Sequence, residues 1–98
     1  MKYGHSCSIL QGKEKQCYLT GRTDRLHKHH CFFGNPLRAI SDKYGFWVWL
    51  IPELHNMSKE GVHFNRELDL KLKRECQAAY EQEHSRDEFI RLIGRSYL

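Results

Sequence analysis

Leu26-His27-Lys28-His29-His30 opens, Phe46-Trp47-Val48-Trp49-Leu50-Ile51-Pro52-Glu53-Leu54-His55-Asn56 continues, and Gly61-Val62-His63-Phe64-Asn65 closes the stretch that decides how this chain folds. The composition from Arg25 to Phe33 suits a short strand. Phe46 to Ile51 is a stronger strand signal: six apolar, aromatic or β-branched residues, ended by Pro52. A run without alternation is expected to be buried on both faces. Between the two, Gly34-Asn35-Pro36 starts a helix, with Asn35 as N-cap and Pro36 at the first helical position. Leu37, Ile40 and Tyr44 give that helix one apolar face, and Gly45 stops it. The stretch also holds five of the seven histidines (His27, His29, His30, His55 and His63) in two groups.

Working outward, Pro52 to Asn56 reads as a single helical turn and Met57 to Gly61 as a loop. A long helix follows from about residue 65 to 83, with Leu68, Leu72, Cys76 and Ala79 on one stripe. Lys71, Lys73 and Arg74 read as a solvated face. Ser85-Arg86-Asp87-Glu88 is a capping box that opens a last helix, about 86 to 93, presenting Phe89, Ile90 and Ile93 before Gly94. Residues 1–16 are polar and weakly patterned, an arm or loop. The expectation is one α+β domain over residues 1–98: the arm, a histidine-bearing centre over 25–65, and C-terminal helices over 66–98.

Ninety-eight residues support one core, and the aromatic residues are enough to fill it. The formal charge of +4 is compatible with a polyanionic partner and speaks to association rather than fold. No block of five or six basic residues stands out. Cys7, Cys17, Cys31 and Cys76 form no C-x-x-C pair, and no signal-peptide pattern opens the chain. Free thiols in a cytoplasmic protein are therefore expected. No apolar run approaches transmembrane length, so no membrane partner is expected.

The histidines carry the chemistry. Neutral imidazole is the commonest side-chain metal ligand and a general base near neutral pH. Phosphodiester hydrolysis needs a water deprotonated and a phosphate charge neutralised; one imidazole and one divalent cation supply both. His29 and His30, with His55 and His63, meet that requirement if one of the pair binds metal and the other acts as base. A regular strand points His29 and His30 to opposite faces, whereas His27 and His29 share one. For the pair to serve one site the strand must twist, bulge or end there.

A strand with His29-His30, a second strand Trp47–Ile51, then Pro52-Glu53-Leu54-His55-Asn56 and Gly61-Val62-His63 resembles the HNH, or ββα-metal (His-Me finger), nuclease motif. The C-terminal part, from Leu68 through Phe89 to Leu98, is similar to small bacterial and prophage HNH proteins related to the phage recombination-enhancing, RecA-dependent nuclease. The resemblance covers roughly Cys17 to the C-terminus. It implies His29 as a metal ligand, His30 as the general base, His55 and His63 as further ligands, and Asn56 in hydrogen-bonding support. It also implies Mg²⁺ or Mn²⁺, with Zn²⁺ or Ni²⁺ able to stand in, and DNA as substrate. A recombination or packaging protein is a possible partner, in a bacterial cytoplasm or from a prophage.

Two departures from the family pattern bear on function. Many relatives carry a structural zinc knuckle of two C-x-x-C pairs; here Cys17 is followed by Thr20, and Ile51 and Leu54 stand at the second pair. One thiolate cannot make a four-coordinate site, so no structural zinc is expected and Ile51 and Leu54 should pack in its place. The motif's middle Asn is also missing before the second strand. These losses motivate a competing reading: an inactive HNH-fold module that binds nucleic acid or a protein, as a phage accessory or inhibitor. His27 is expected to be exposed or to stand behind the ligands, and His5 and His84 to lie on the surface.

Overall fold

The computed structural model describes residues 7–55 and 65–98. Six elements follow in order: β1 (His27–His30), α1 (Leu37–Tyr44), β2 (Trp47–Leu50), α2 (Pro52–His55), α3 (Arg66–Tyr80) and α4 (Arg86–Ile93). β1 and β2 pair antiparallel, with His27 opposite Leu50, His29 opposite Val48 and His30 opposite Trp47. This is an α+β arrangement of one two-stranded sheet and four helices among the described residues.

Both strands are shorter than the residue patterns predict, for local reasons. Arg25, at φ 53, turns the chain ahead of β1, and Gly34, at φ +87, turns it after. Cys31 N–H still donates to Phe46 O at 2.8 Å, so the pairing extends one bond beyond the strands. Pro52, which has no N–H, closes β2 and opens α2.

The first helix starts differently from expectation. Pro36, not Asn35, occupies the N-cap position of α1, and no side chain caps it. The Gly34 carbonyl instead accepts from Arg38 N–H at 2.9 Å. Gly45 ends α1 in the left-handed region, as read from the sequence, and its N–H returns to Ser41 O. Asn65 caps α3 by accepting from Leu68 N–H at 3.1 Å. Ser85 and Glu88 make both bonds of the capping box on α4. α3 ends at Tyr80, three residues earlier than expected, and Glu81 to Glu83 continue as a turn.

The core lies between the sheet and the C-terminal helices, centred on Phe32, Phe46, Val48, Leu50, Leu72, Cys76 and Phe89, each at 1% exposure or less. Phe32, Phe46 and Phe89 meet edge to face or tilted, with centroids 5.4–6.0 Å apart. In α4, Phe89 and Ile93 are buried while Ile90 faces solvent.

Two assignments change on this packing, and one residue unread in the sequence is placed by it. Residues 8–18 are not a free arm. Ser8 Oγ donates to Trp47 O, Gln11 Oε1 accepts from Trp49 N–H at 2.9 Å, and Tyr18 N–H donates to Trp49 O at 2.8 Å. These bonds cover the outer edge of β2, which would otherwise present unpaired backbone groups. Lys73 is not on a solvated face: it is largely buried, paired with Asp69 at 2.8 Å, and sits 4.7 Å above the Phe33 ring. Gln77 is fully buried, its amide joining Glu81, Ser96 and the Tyr97 N–H. No described helix is long and apolar enough to cross a membrane.

Candidate functional site

β1 alternates as a regular strand does, so its side chains divide between two surroundings. His27 and His29 turn toward α2. His27 Nδ1 lies 3.2 Å from His55 Nδ1, and the His29 and His55 rings are 5.3 Å apart at 68°. The His27 and His55 rings are also 5.3 Å apart, at 82°. Lys28 and His30 instead meet Asp42 of α1: His30 Nε2 is 2.8 Å, and Lys28 Nζ 2.9 Å, from the same carboxylate oxygen.

β1 ends at His30. His29 and His30 both line a cleft of about 230 Å³ with Lys28, Phe33, Gly34, Arg38 and His55. His29 forms its buried wall at 1% exposure, while His30 keeps 13% of its side chain open. Of the sequence-derived site residues, His29, His30 and His55 therefore share one cleft. Asn56 and His63 lie outside the described residues.

Asp42 went unread in the sequence and is the clearest addition. Burial opposes its ionisation, but hydrogen bonds from Lys28 and His30 and their charges outweigh this and hold its carboxyl below the usual range. An ionised carboxylate only accepts, so the proton in the 2.8 Å contact sits on His30 Nε2 and the other ring nitrogen, Nδ1, is the basic atom. Arg38 lies four residues before Asp42, hence on the same side of α1, and lines the cleft. An Arg–Asp pair at helical spacing just after the histidine pair was the available signal. His27 is also more than a surface residue: it is half-buried against His55.

The imidazoles fit one class of metal. Nitrogen donors suit Zn²⁺, Ni²⁺ or Cu²⁺, whereas Mg²⁺ prefers an oxygen shell. The positions seen form no closed cage: among the described residues no group of three or more His, Cys, Asp or Glu is arranged to hold an ion. The described donors thus offer a pair of close nitrogens, Nδ1 of His27 and of His55 at 3.2 Å, with the His29 ring beside them.

Where the resemblance would place a zinc knuckle, Cys17 is buried, Ile51 is 7% exposed, and Leu54 packs against the same core. Burial pushes the Cys17 thiol up, but hydrogen bonds from the Thr20 side chain and from the backbone of Ile51, Leu19 and Thr20 together bring it below its ordinary value. Cys31 and Cys76 are also free and buried.

Comparison of the chain with protein-family models, with curated proteins and with solved structures gives no match.

Proposed function

We propose that this protein is a metal-dependent DNA endonuclease with a ββα-metal site, in which His30 is the general base and His29 and His55, with His63, hold a divalent ion. One observation carries the reading: His29 and His30 line a single cleft, and His30 is held there by a carboxylate at 2.8 Å. A base oriented by an acceptor is the arrangement that proton abstraction from water requires.

The Asp42 carboxylate keeps the proton on His30 Nε2, so Nδ1 takes the proton from an attacking water. Lys28 holds Asp42 in position at 2.9 Å and places its own charge at the cleft. Arg38 is exposed at the mouth, where a guanidinium can pair with a phosphate through two hydrogen bonds. A bound ion would polarise the phosphate as a Lewis acid. The nitrogen donors favour a borderline ion such as Zn²⁺ or Ni²⁺ at this site. A cytoplasmic place of action beside DNA, with a recombination or packaging protein as partner, belongs to the same proposal.

The test is plasmid nicking by purified protein with Mg²⁺, Mn²⁺, Zn²⁺ or Ni²⁺, against EDTA, alongside His30→Ala. Metal-dependent nicking is expected, with a loss of about 10²–10⁴-fold in the variant and an unchanged circular-dichroism spectrum. Full activity in His30→Ala would remove His30 as the base. DNA binding without nicking under every ion would favour the second reading, an inactive HNH-fold binding module, which the missing middle Asn motivates.

A further inference from the structure

We infer that His27 is itself a metal ligand, forming with His55 a two-imidazole chelate through their Nδ1 atoms. The inference rests on reading the histidine cluster as a metal site and adds a residue outside the ligand set His29, His55 and His63. Its basis is a distance. Two nitrogens each about 2.0–2.1 Å from one tetrahedral ion stand about 3.3 Å apart, and an octahedral cis pair about 3.0 Å. His27 Nδ1 and His55 Nδ1 are 3.2 Å apart. One nitrogen comes from the first residue of β1 and the other from the last residue of α2.

Strand geometry makes the placement systematic. His27 and His29 are two residues apart on β1 and share a face, and each ring lies 5.3 Å from the His55 ring. His55 is thus flanked symmetrically by two imidazoles. The alternative occupant of the 3.2 Å gap is a single proton, shared as an N–H···N hydrogen bond. The two cases differ chemically: a chelate strips that proton and needs nitrogen lone pairs, while a hydrogen bond can be replaced by an amide.

That difference defines the experiment. Zn²⁺ affinity is measured by competition with a chromogenic chelator for the wild-type chain, His27→Ala, His27→Gln and His30→Ala. The Nδ1 resonances of His27 and His55 are followed by nitrogen NMR as Zn²⁺ is added. The chelate predicts that His27 Nδ1 shifts to a metal-bound position and that its proton does not return. His27→Ala and His27→Gln should both lose affinity by about a hundredfold, at the upper limit of what removing a hydrogen-bonding neighbour does. His30→Ala should bind Zn²⁺ as the wild type does.

Normal Zn²⁺ affinity in His27→Gln, or a His27–His55 proton retained in the Zn²⁺-loaded wild type, would overturn the inference and leave the metal site standing on other ligands. No Zn²⁺ binding by the folded wild-type chain would overturn the inference and the metal-site reading together. Thermal unfolding of each variant in EDTA separates loss of fold from loss of a ligand. If His27→Ala does not fold, His27→Gln carries the test.

Discussion

At the scale of single residues, Asp42 anchors the His30 ring. Two strand side chains, Lys28 and His30, share one of its oxygens, so removing the carboxylate frees both. In Asp42→Asn the amide can turn either its oxygen or its nitrogen to His30 and no longer dictates the tautomer. Nicking is expected to fall by about ten- to a hundredfold, the usual effect of losing a carboxylate behind a functional imidazole. The loss should appear in kcat, with KM for DNA changing little. The same carboxyl has a sign in acid. Its folded pKa is depressed, so its contribution to stability is present above the unfolded carboxylate value and is lost as pH falls through the folded one. Urea unfolding of wild type and Asp42→Asn should therefore differ at neutral pH and converge as pH falls below about 4. A gap that widened in acid would contradict the pairing.

At the scale of elements, the turn from α1 into β2 sets the position of the whole site. Gly45 has φ +79, and a Cβ built there would lie 2.5 Å from the Cys7 carbonyl oxygen. Its own carbonyl accepts from Ile9 N–H at 2.8 Å, so the N-terminal segment closes directly over the turn. Gly45→Ala meets a backbone clash and a left-handed conformation together. A loss of about 2 kcal/mol or more is expected, seen as a Tm lower by about 10 °C in a domain of this size. An unchanged Tm would mean that the segment around Cys7 moves aside at little cost. Helix ends were legible in the sequence where caps act over three or four residues: Ser85 with Glu88, Gly45 and Gly94 all serve as read. Asn35 failed as a cap because Pro36 itself takes the boundary position and a backbone carbonyl, from Gly34, accepts from Arg38 N–H.

At the scale of the molecule, Gln77 ties the C-terminal tail to the core. Its buried amide accepts from Tyr97 N–H at 2.7 Å and donates to Ser96 and Glu81. Gln77→Leu keeps volume but removes the partner of three half-buried groups, of which Glu81 keeps Arg86, so the cost is about 1 kcal/mol, the lower end for an unpaired polar group. The variant should unfold at lower urea, and proteolysis should trim its tail at Ser96–Leu98 faster than in the wild type. Equal protection would assign the tail's anchorage to Arg74, whose Nε donates to Tyr97 O at 3.1 Å. Charge acts at this scale too. The +4 balance and the placement of Lys28 and Arg38 in the cleft predict DNA binding that weakens steeply with added salt. Arg38→Ala should flatten that slope by about one unit, without shifting Tm.

The amino-acid sequence by itself determined what short-range physics can determine. The apolar run Phe46–Ile51 had to be buried, glycines and caps had to end helices, and His27 and His29 had to share one face of their strand. Only the tertiary structure decided which side chains meet. The β1–β2 register and the lie of α2 bring His27 and His29 to His55, while the return of α1 brings Asp42 to His30. Lys73 read as part of a solvated face and Gln77 was not read at all; both are covered because the tail and Phe33 fold over them. Each of these contacts joins residues twelve or more positions apart, beyond the reach of helical or strand periodicity. Their partners are set by how the elements pack, and that packing minimises exposed apolar area over the whole chain rather than along any one segment.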